Sequence, residues 1–188
     1  MASPLDDYFL AVERDDDRAV INLVKQGQDP NQRRPDGQTA LHVALRDDSP
    51  KVVQALLVLP KLDVNALNAS GESPLMMAAL RGNLPAAETL LVRGARVQLE
   101  GWSPLHYAAT GPEPKLVSLF LARGALVESL SPNKTTPLMM AARYGDERNV
   151  EVLLAQRASR QARNDKDLTA ADFARLAGRE KLAARVTQ

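Results

Sequence analysis

Gly71-Glu72-Ser73-Pro74-Leu75-Met76-Met77-Ala78-Ala79, followed by Gly82, Leu90-Leu91 and Gly94-Ala95, is a phrase that this chain repeats. Its centre returns as Thr39-Ala40-Leu41-His42, Ser103-Pro104-Leu105-His106 and Thr136-Pro137-Leu138-Met139, with 34, 30 and 33 residues between the central leucines. One interval earlier Tyr8 stands in the leucine's place, and one interval later Ala171 does. Self-similarity near 33 residues across almost the whole chain means a row of like supersecondary units. Each copy says what the unit is. Thr or Ser ahead of Pro is an N-cap followed by a first-turn proline, whose missing N–H costs nothing there. Leu75 and its counterparts are expected to point inward, and Ala78 and Ala79 keep the helix slim enough for neighbours to approach. Gly82, Gly145 and Gly178 fit left-handed caps that close the first helix. Val52, Val53, Leu56 and Leu57, or Val150, Val152, Leu153 and Leu154, give a second helix a broad apolar face. Gly94-Ala95 and Gly124-Ala125 end that helix, and a short hairpin leads into the next unit.

These residues resemble the ankyrin repeat: a turn with Gly, then Thr-Pro-Leu-His, an Ala pair, a Gly, a Val/Leu-rich helix and Gly-Ala. The repeat at Gly101-Trp102-Ser103-Pro104-Leu105-His106-Tyr107-Ala108-Ala109, ending at Gly124-Ala125, matches as well as the one quoted first. The resemblance covers essentially the whole chain. It implies an all-α fold, an ankyrin-repeat solenoid of stacked helix-turn-helix units with short β-hairpin fingers and little true sheet. One domain is expected over 1–188: an N-terminal capping repeat 1–33, repeats 34–67, 68–98, 99–130 and 131–160, and a C-terminal capping repeat 161–188. Phrases such as Leu5-Asp6-Asp7-Tyr8-Phe9, Asp29-Pro30-Asn31 and Thr169-Ala170-Ala171-Asp172-Phe173-Ala174 resemble short bacterial members. That group often carries a removable export signal, so the expected location is periplasmic or exported if one preceded residue 1, and cytoplasmic otherwise.

Composition sets limits. The 188 residues are 45% hydrophobic and only 4% aromatic, which suits Ala/Leu packing between thin helices. A net charge of +1 supplies no field for nucleic acid or an anionic membrane. Charge is nevertheless lopsided, with Asp6, Asp7, Glu13, Asp15, Asp16 and Asp17 at the amino end. Arg157, Arg160, Arg163, Arg175, Arg179, Lys181 and Arg185 make the carboxyl end basic. Both ends read as solvated cap surfaces, since a terminal repeat faces water. There is no cysteine, hence no disulfide framework or thiol chemistry. No apolar run reaches the length of a membrane span, and the Pro4-Leu5-Asp6-Asp7 start is not a signal peptide.

Chemical motifs dissolve into the repeat. His42 and His106 share one repeat position, where the family uses His to brace the capping turn, and neither lies at ligand spacing from another His or Cys. Asp15-Asp16-Asp17 lacks the glycine and closing glutamate of a calcium loop. Phosphate-binding glycine loops, nucleophile elbows and His-Glu-x-x-His are missing. Met76-Met77 and Met139-Met140 read as packing. No cofactor, metal or catalytic residue is expected.

Departures from the pattern are more informative. The junction Val97-Gln98-Leu99-Glu100-Gly101 is three residues short, so its finger should be truncated, leaving a notch beside Trp102, Tyr107 and Thr110. Pro112 replaces the cap glycine of repeat three, so that helix is expected to stop early. Lys134 replaces a turn glycine, and Asn133 is expected to take the positive φ instead. Asp48 replaces the cap glycine of repeat one, and Arg157 the glycine ending repeat four.

Function is therefore expected on the concave face. The resemblance implies contacts through finger tips (Asp36, Gln38, Ser70, Glu72, Trp102, Asn133, Thr135) and first-helix positions (Arg46, Asp47, Leu80, Arg81, Thr110, Arg143, Tyr144). From these the expected partner site is Arg46, Asp47, Glu72, Arg81, Trp102, Thr110, Asn133, Thr135, Arg143 and Tyr144. Trp, Tyr and Arg are the usual anchors of interfaces. The expected role is a monomeric, non-catalytic module for a protein partner, binding no nucleic acid and inserting in no membrane. The alternative is an inhibitor or immunity-type protein that blocks an enzyme through the same surface.

Overall fold

Five threonines and serines start the first helix of their units in the same way, and the geometry at each is the same. Thr39, Ser73, Ser103, Thr136 and Thr169 are all extended, and each begins a helix at the next residue. The residue three positions on reaches back to the cap's own backbone N–H. That acceptor is His42 Nδ1 at 3.3 Å, Met76 Sδ at 3.3 Å, His106 Nδ1 at 3.2 Å, Met139 Sδ at 3.4 Å and Asp172 Oδ2 at 2.9 Å. Imidazole, thioether and carboxylate thus fill one capping-box role.

The computed structural model describes residues 4–187. Its helices are α1 (Pro4–Glu13), α2 (Asp17–Lys25), α3 (Ala40–Arg46), α4 (Pro50–Leu57), α5 (Pro74–Leu80), α6 (Leu84–Val92), α7 (Pro104–Thr110), α8 (Pro114–Ala122), α9 (Pro137–Tyr144), α10 (Glu147–Ala155), α11 (Ala170–Leu176) and α12 (Glu180–Thr187). Residues 1–3 and 188, included in the expected capping repeats, lie outside the described residues. Consecutive helices pair, and the odd-numbered ones form one row in which α1, α3, α5, α7, α9 and α11 each pack on the next. Behind it α2, α4, α6, α8 and α10 form a second row. The central Leu41, Leu75, Leu105 and Leu138 are enclosed between the rows, as are Tyr8 and Ala171 at the equivalent places in the end units. The core is thus one continuous seam, and each unit borrows its cover from the next.

Between helix pairs the chain makes tight turns rather than strands. Among the described residues the only bridge outside helices is Arg33 to Thr39. Four fingers close alike: the N–H of Arg34, Asn68, Ser131 or Asn164 donates to the carbonyl four residues on, at 2.9–3.1 Å. Lys134 itself takes the left-handed position of its finger, at φ 57°. Asn133 does not, contrary to the sequence expectation. Its Oδ1 instead accepts from Ser131 Oγ at 2.5 Å and from the Thr135 N–H at 3.4 Å, holding the turn from outside.

The first-helix caps also depart from expectation. Gly82 and Gly178 are left-handed, and Asp48 adopts the same conformation at φ 57° without a glycine. Gly145 does not, with φ −82° and ψ 172°. Nor does α7 stop early at Pro112: it ends at Thr110, the place in its repeat where α5 ends at Leu80. The reason is the same in both repeats. Gly111 and Gly145 run extended against the preceding unit, where a Cβ would lie 2.4 Å from the Ala79 carbonyl oxygen and 2.0 Å from that of Ala109. The helix ends are then closed by a side chain from the following helix pair. Asn149 Nδ2 donates to Ala108 O, Ala109 O and Gly111 O at 2.9–3.3 Å. Arg179 donates to Ala141 O, Ala142 O and Gly145 O at 2.9–3.3 Å. Repeat one shows a third case: Pro60 stands where Gly94 stands in repeat two, and Arg93 donates to Leu57 O and Leu59 O at 2.7 and 2.8 Å. Arg157 adopts the left-handed conformation at φ 64° in place of the missing glycine.

His42 and His106 join neighbouring units. A backbone donor at Nδ1 requires the proton on Nε2, which donates to Glu72 O at 3.0 Å from His42 and to Thr135 O at 2.9 Å from His106. Burial holds both imidazoles below their ordinary value, because the cation would lose its water and Nδ1 would no longer accept. With the folded value below the unfolded one, the unfolded chain takes up protons first as pH falls. The stabilisation is full above the free imidazole value of about 6.5 and shrinks as pH drops toward the folded value. Thermal melts at about pH 7.5 and about pH 5.5, either side of that value, should therefore show a loss on acidification. A His42→Met, His106→Met double variant, carrying the side chain that Met76 and Met139 place there, should flatten it. An unaltered pH dependence in that variant would assign the acid sensitivity to other groups.

Candidate protein-binding surface

Three rows of sequence positions border the finger side of the odd-numbered helices. Five positions after each central leucine stand Arg46, Leu80, Thr110 and Arg143; six positions after stand Asp47, Arg81, Gly111 and Tyr144. The residue before each capping Thr or Ser is Gln38, Glu72, Trp102 or Thr135. Repeat three has the smallest residues of both helix rows and also the short finger. No backbone pair of the kind that closes the other fingers spans Gln98–Trp102. Finger tips bond to each other at the two ends of the row, Ala69 N to Asp36 O and Asp165 N to Asn133 O, both at 3.1 Å. The row is interrupted between them.

The surface accordingly recedes at repeat three. A hollow of about 240 Å³ opens there, lined by Leu80, Trp102, His106, Tyr107, Thr110 and Met140. It is smaller than the roughly 300–1,000 Å³ of small-molecule sites and suits a single side chain. Trp102 stands edge-on to the buried His106 ring at 5.2 Å between centroids. Thr110 donates its hydroxyl to His106 O at 2.9 Å, so its methyl group is left for the hollow. Tyr107 donates its hydroxyl to Glu72 Oε1 at 2.7 Å, and burial together with this carboxylate raises the phenol's pKa.

The expected site residues fall into separate groups. Trp102 and Thr110 line the hollow, Arg81 follows the lining residue Leu80, and Arg143 lies one turn beyond Met140 on α9. Tyr144, 55% exposed, projects next to it. Arg143 lies over the Tyr144 ring at 5.0 Å and the Phe173 ring at 5.9 Å. Arg46 and Asp47 stand apart in repeat one and satisfy each other at 2.7 and 2.9 Å, and this pairing holds the Asp47 carboxyl below its ordinary range. Glu72 serves the frame, accepting from Tyr107 and from Asn68 Nδ2 at 2.8 Å. Asn133 shapes its finger. Thr135 is a correction: it is 2% exposed, enclosed beneath its finger while its carbonyl receives His106, so it presents no side chain outward. Sequence reading did not single out Met140 as part of the lining. A signal existed, because Tyr107 and Met140 occupy the position where Val43 and Met77 are buried.

The charged ends are partly structural. Asp15 Oδ1 accepts from the Val52 N–H at 2.9 Å, Asp16 caps α2 through Ala19 N, and Arg185 pairs with Glu147 and Glu151 at 2.6 and 2.7 Å. Among the described residues no group of three or more His, Asp or Glu side chains is placed to hold a metal ion. Among the described residues no helix is long and apolar enough to cross a membrane.

Paired helices in two rows, with a hollow in the finger face, define a helical-repeat recognition scaffold. The chain belongs to the ankyrin-repeat family: the model of ankyrin repeats (3 copies) matches residues 8–100 and 94–166. Ankyrin repeats mediate protein–protein interaction. Among curated proteins it is similar to Protein glp-1 of Caenorhabditis elegans, 27% identical over 96% of this chain and 15% of that protein. It is also similar to human SH3 and multiple ankyrin repeat domains protein 2, 32% identical over 87% of this chain and 9% of that protein. The chain thus spans a small part of these relatives. A solved chain from the complex of Bd0816, a predatory endopeptidase from Bdellovibrio bacteriovorus, with immunity protein Bd3460 superimposes with a TM-score of 0.79. That likeness has 27% identity and covers 98% of this chain and 99% of that one.

A normal-length finger should close the hollow. Inserting three residues between Leu99 and Glu100 is expected to leave the melting temperature nearly unchanged, since repeats interact mainly with nearest neighbours. It should weaken capture of the partner. Unfolding of the insertion variant would make the short junction a requirement of the fold rather than of recognition.

Proposed function

We propose that this chain is a monomeric, non-catalytic binding module, with capping repeats at 1–33 and 161–188. Its partner protein is engaged on the finger side of repeats two to four, with Arg81, Trp102, Arg143 and Tyr144 at the centre. The observation that carries this is the hollow at repeat three: three independent departures converge on it, namely the shortened finger, the small Thr110-Gly111 pair and the aromatic Trp102. An aromatic beside a concavity, flanked by guanidinium groups, has the composition of an interface hot spot. Pull-down with the full chain as bait, followed by calorimetry with the captured protein, tests it. A captured protein whose binding survives blocking of this face sinks the reading.

A second reading is an inhibitor or immunity-type protein, favoured by the nearly full-length likeness to a chain from an endopeptidase–immunity complex. The two readings part on one measurement. An inhibitor abolishes its partner's activity at equimolar ratio, whereas a scaffold leaves it intact.

A further inference from the structure

The hollow is mainly apolar, and each of its two flanks carries an arginine outside any ion pair among the described residues. Arg81 spends its Nε on Arg46 O at 2.5 Å and, among the described residues, forms no ion pair within 4 Å; the nearby Asp47, which its charge also reaches, is paired with Arg46. Arg143 has aromatic neighbours and, among the described residues, no carboxylate within ion-pair distance. Two other cations of the finger face are matched, Arg46 by Asp47 and Lys134 by Asp165. The Glu72 carboxylate, beside the lining residue Tyr107, is turned to Tyr107 and Asn68. Arg81 belongs to repeat two and Arg143 to repeat four, with the hollow between them. Packed helices stand about 8–10 Å apart, so two steps put α5 and α9, at whose ends these arginines stand, about 16–20 Å apart. An extended chain advances about 3.3 Å per residue and covers that distance in about six residues.

Resting on the binding-surface reading above, we propose that this face recognises an extended acidic segment of the partner. A single aromatic or large aliphatic side chain enters the hollow against Trp102. Carboxylates about three residues to either side meet Arg81 and Arg143. Apolar insertion supplies the contact area, and the paired charges fix register and exclude basic segments.

Trp102 is the sole tryptophan and reports directly on the hollow. The probe is the capped peptide Glu-Ser-Gly-Phe-Gly-Ser-Glu, titrated up to about 1 mM at low salt while Trp102 fluorescence is followed. Saturable binding is expected, weakened by about tenfold or more when the central Phe is replaced by Ala, and weakened by added salt. A version with Lys at both ends should not bind. The double variant Arg81→Glu, Arg143→Glu should reverse this preference, binding the Lys-ended probe and losing the Glu-ended one. A folding defect does not produce that reversal. Equal binding of both probes, no saturable response, or no reversal in the double variant overturns the proposal. In those cases the captured full-length partner separates two failures. If Trp102→Ala still removes that partner, only the chemistry of the occupant is wrong. If Trp102→Ala leaves it bound, the surface reading falls as well.

Discussion

Asn149→Leu is expected to destabilise the protein by about 3 kcal/mol, although the two side chains have similar size. The amide of Asn149 is fully enclosed and serves three carbonyls at the end of α7. Leucine keeps the packing and removes that donor in a place water does not reach. Each buried acceptor left without its partner costs about 1–3 kcal/mol, and α7 has no left-handed cap to fall back on because Pro112 stands there. The same joint is accessible from the other side. Gly145→Ala puts a Cβ 2.0 Å from Ala109 O and 3.1 Å from Asn149 Nδ2, so repeats three and four must separate or the turn must shift. A loss of about 1–3 kcal/mol is typical of such overpacking. Asp48→Gly makes the contrast: Asp48 is left-handed and mostly open to solvent, so glycine should be neutral or stabilising by up to about 1 kcal/mol. Urea denaturation followed by circular dichroism reads all three. A wild-type midpoint for Asn149→Leu would mean that the α7 carbonyls are satisfied without the amide.

Trp102→Ala should cost about 2 kcal/mol of partner binding, a weakening of about thirtyfold, and Tyr144→Ala a similar amount. Trp102 forms one wall of the hollow, so its loss removes both the contact surface and the shape that a partner side chain would meet. Tyr144 is exposed, yet Arg143 over its ring limits its freedom, so little ordering remains to be done on binding. Stability should fall less than affinity in both variants, because neither ring is enclosed in the seam between the rows. The controls matter. Asp16→Ala removes the cap of α2, at about 1 kcal/mol of stability, and should leave affinity unchanged. At the basic end the exposed Lys181 on α12 serves as the second control, because Arg179 closes α9 and its loss would disturb the fold. Calorimetry with the captured partner decides. Affinity lost in Asp16→Ala and Lys181→Ala but kept in the central variants would move the binding surface to the charged ends.

Much of this was legible before any coordinates. The interval between Leu41, Leu75, Leu105 and Leu138 defines the units, and Ser or Thr before Pro marks where their first helices begin. Those signals are local: a cap and a proline act within one turn, and periodic leucines mean the same thing in every copy. The short junction ahead of Trp102 was legible too, because a missing segment needs no structure to be counted. The candidate site was legible only in part. Trp102, Thr110, Arg81, Arg143 and Tyr144 cluster around repeat three, but Thr135 lies under its finger, and Arg46 and Asp47 satisfy each other one repeat away.

What the sequence by itself determined is the repeat, its helix starts and the place where its regularity breaks. What only the tertiary structure decided is how each break is repaired. Pro112 and Gly145 read alone predict a shortened helix and a left-handed cap. Neither forms, because Asn149 and Arg179 arrive from the next helix pair, about forty residues away, and collect the open carbonyls. The same holds for the hollow, whose lining comes from α5, α7, α9 and Trp102 after the short junction. Local rules act through neighbours along the chain, whereas a hydrogen bond or a cavity wall depends on neighbours in space, and in a stacked array those belong to the adjoining unit.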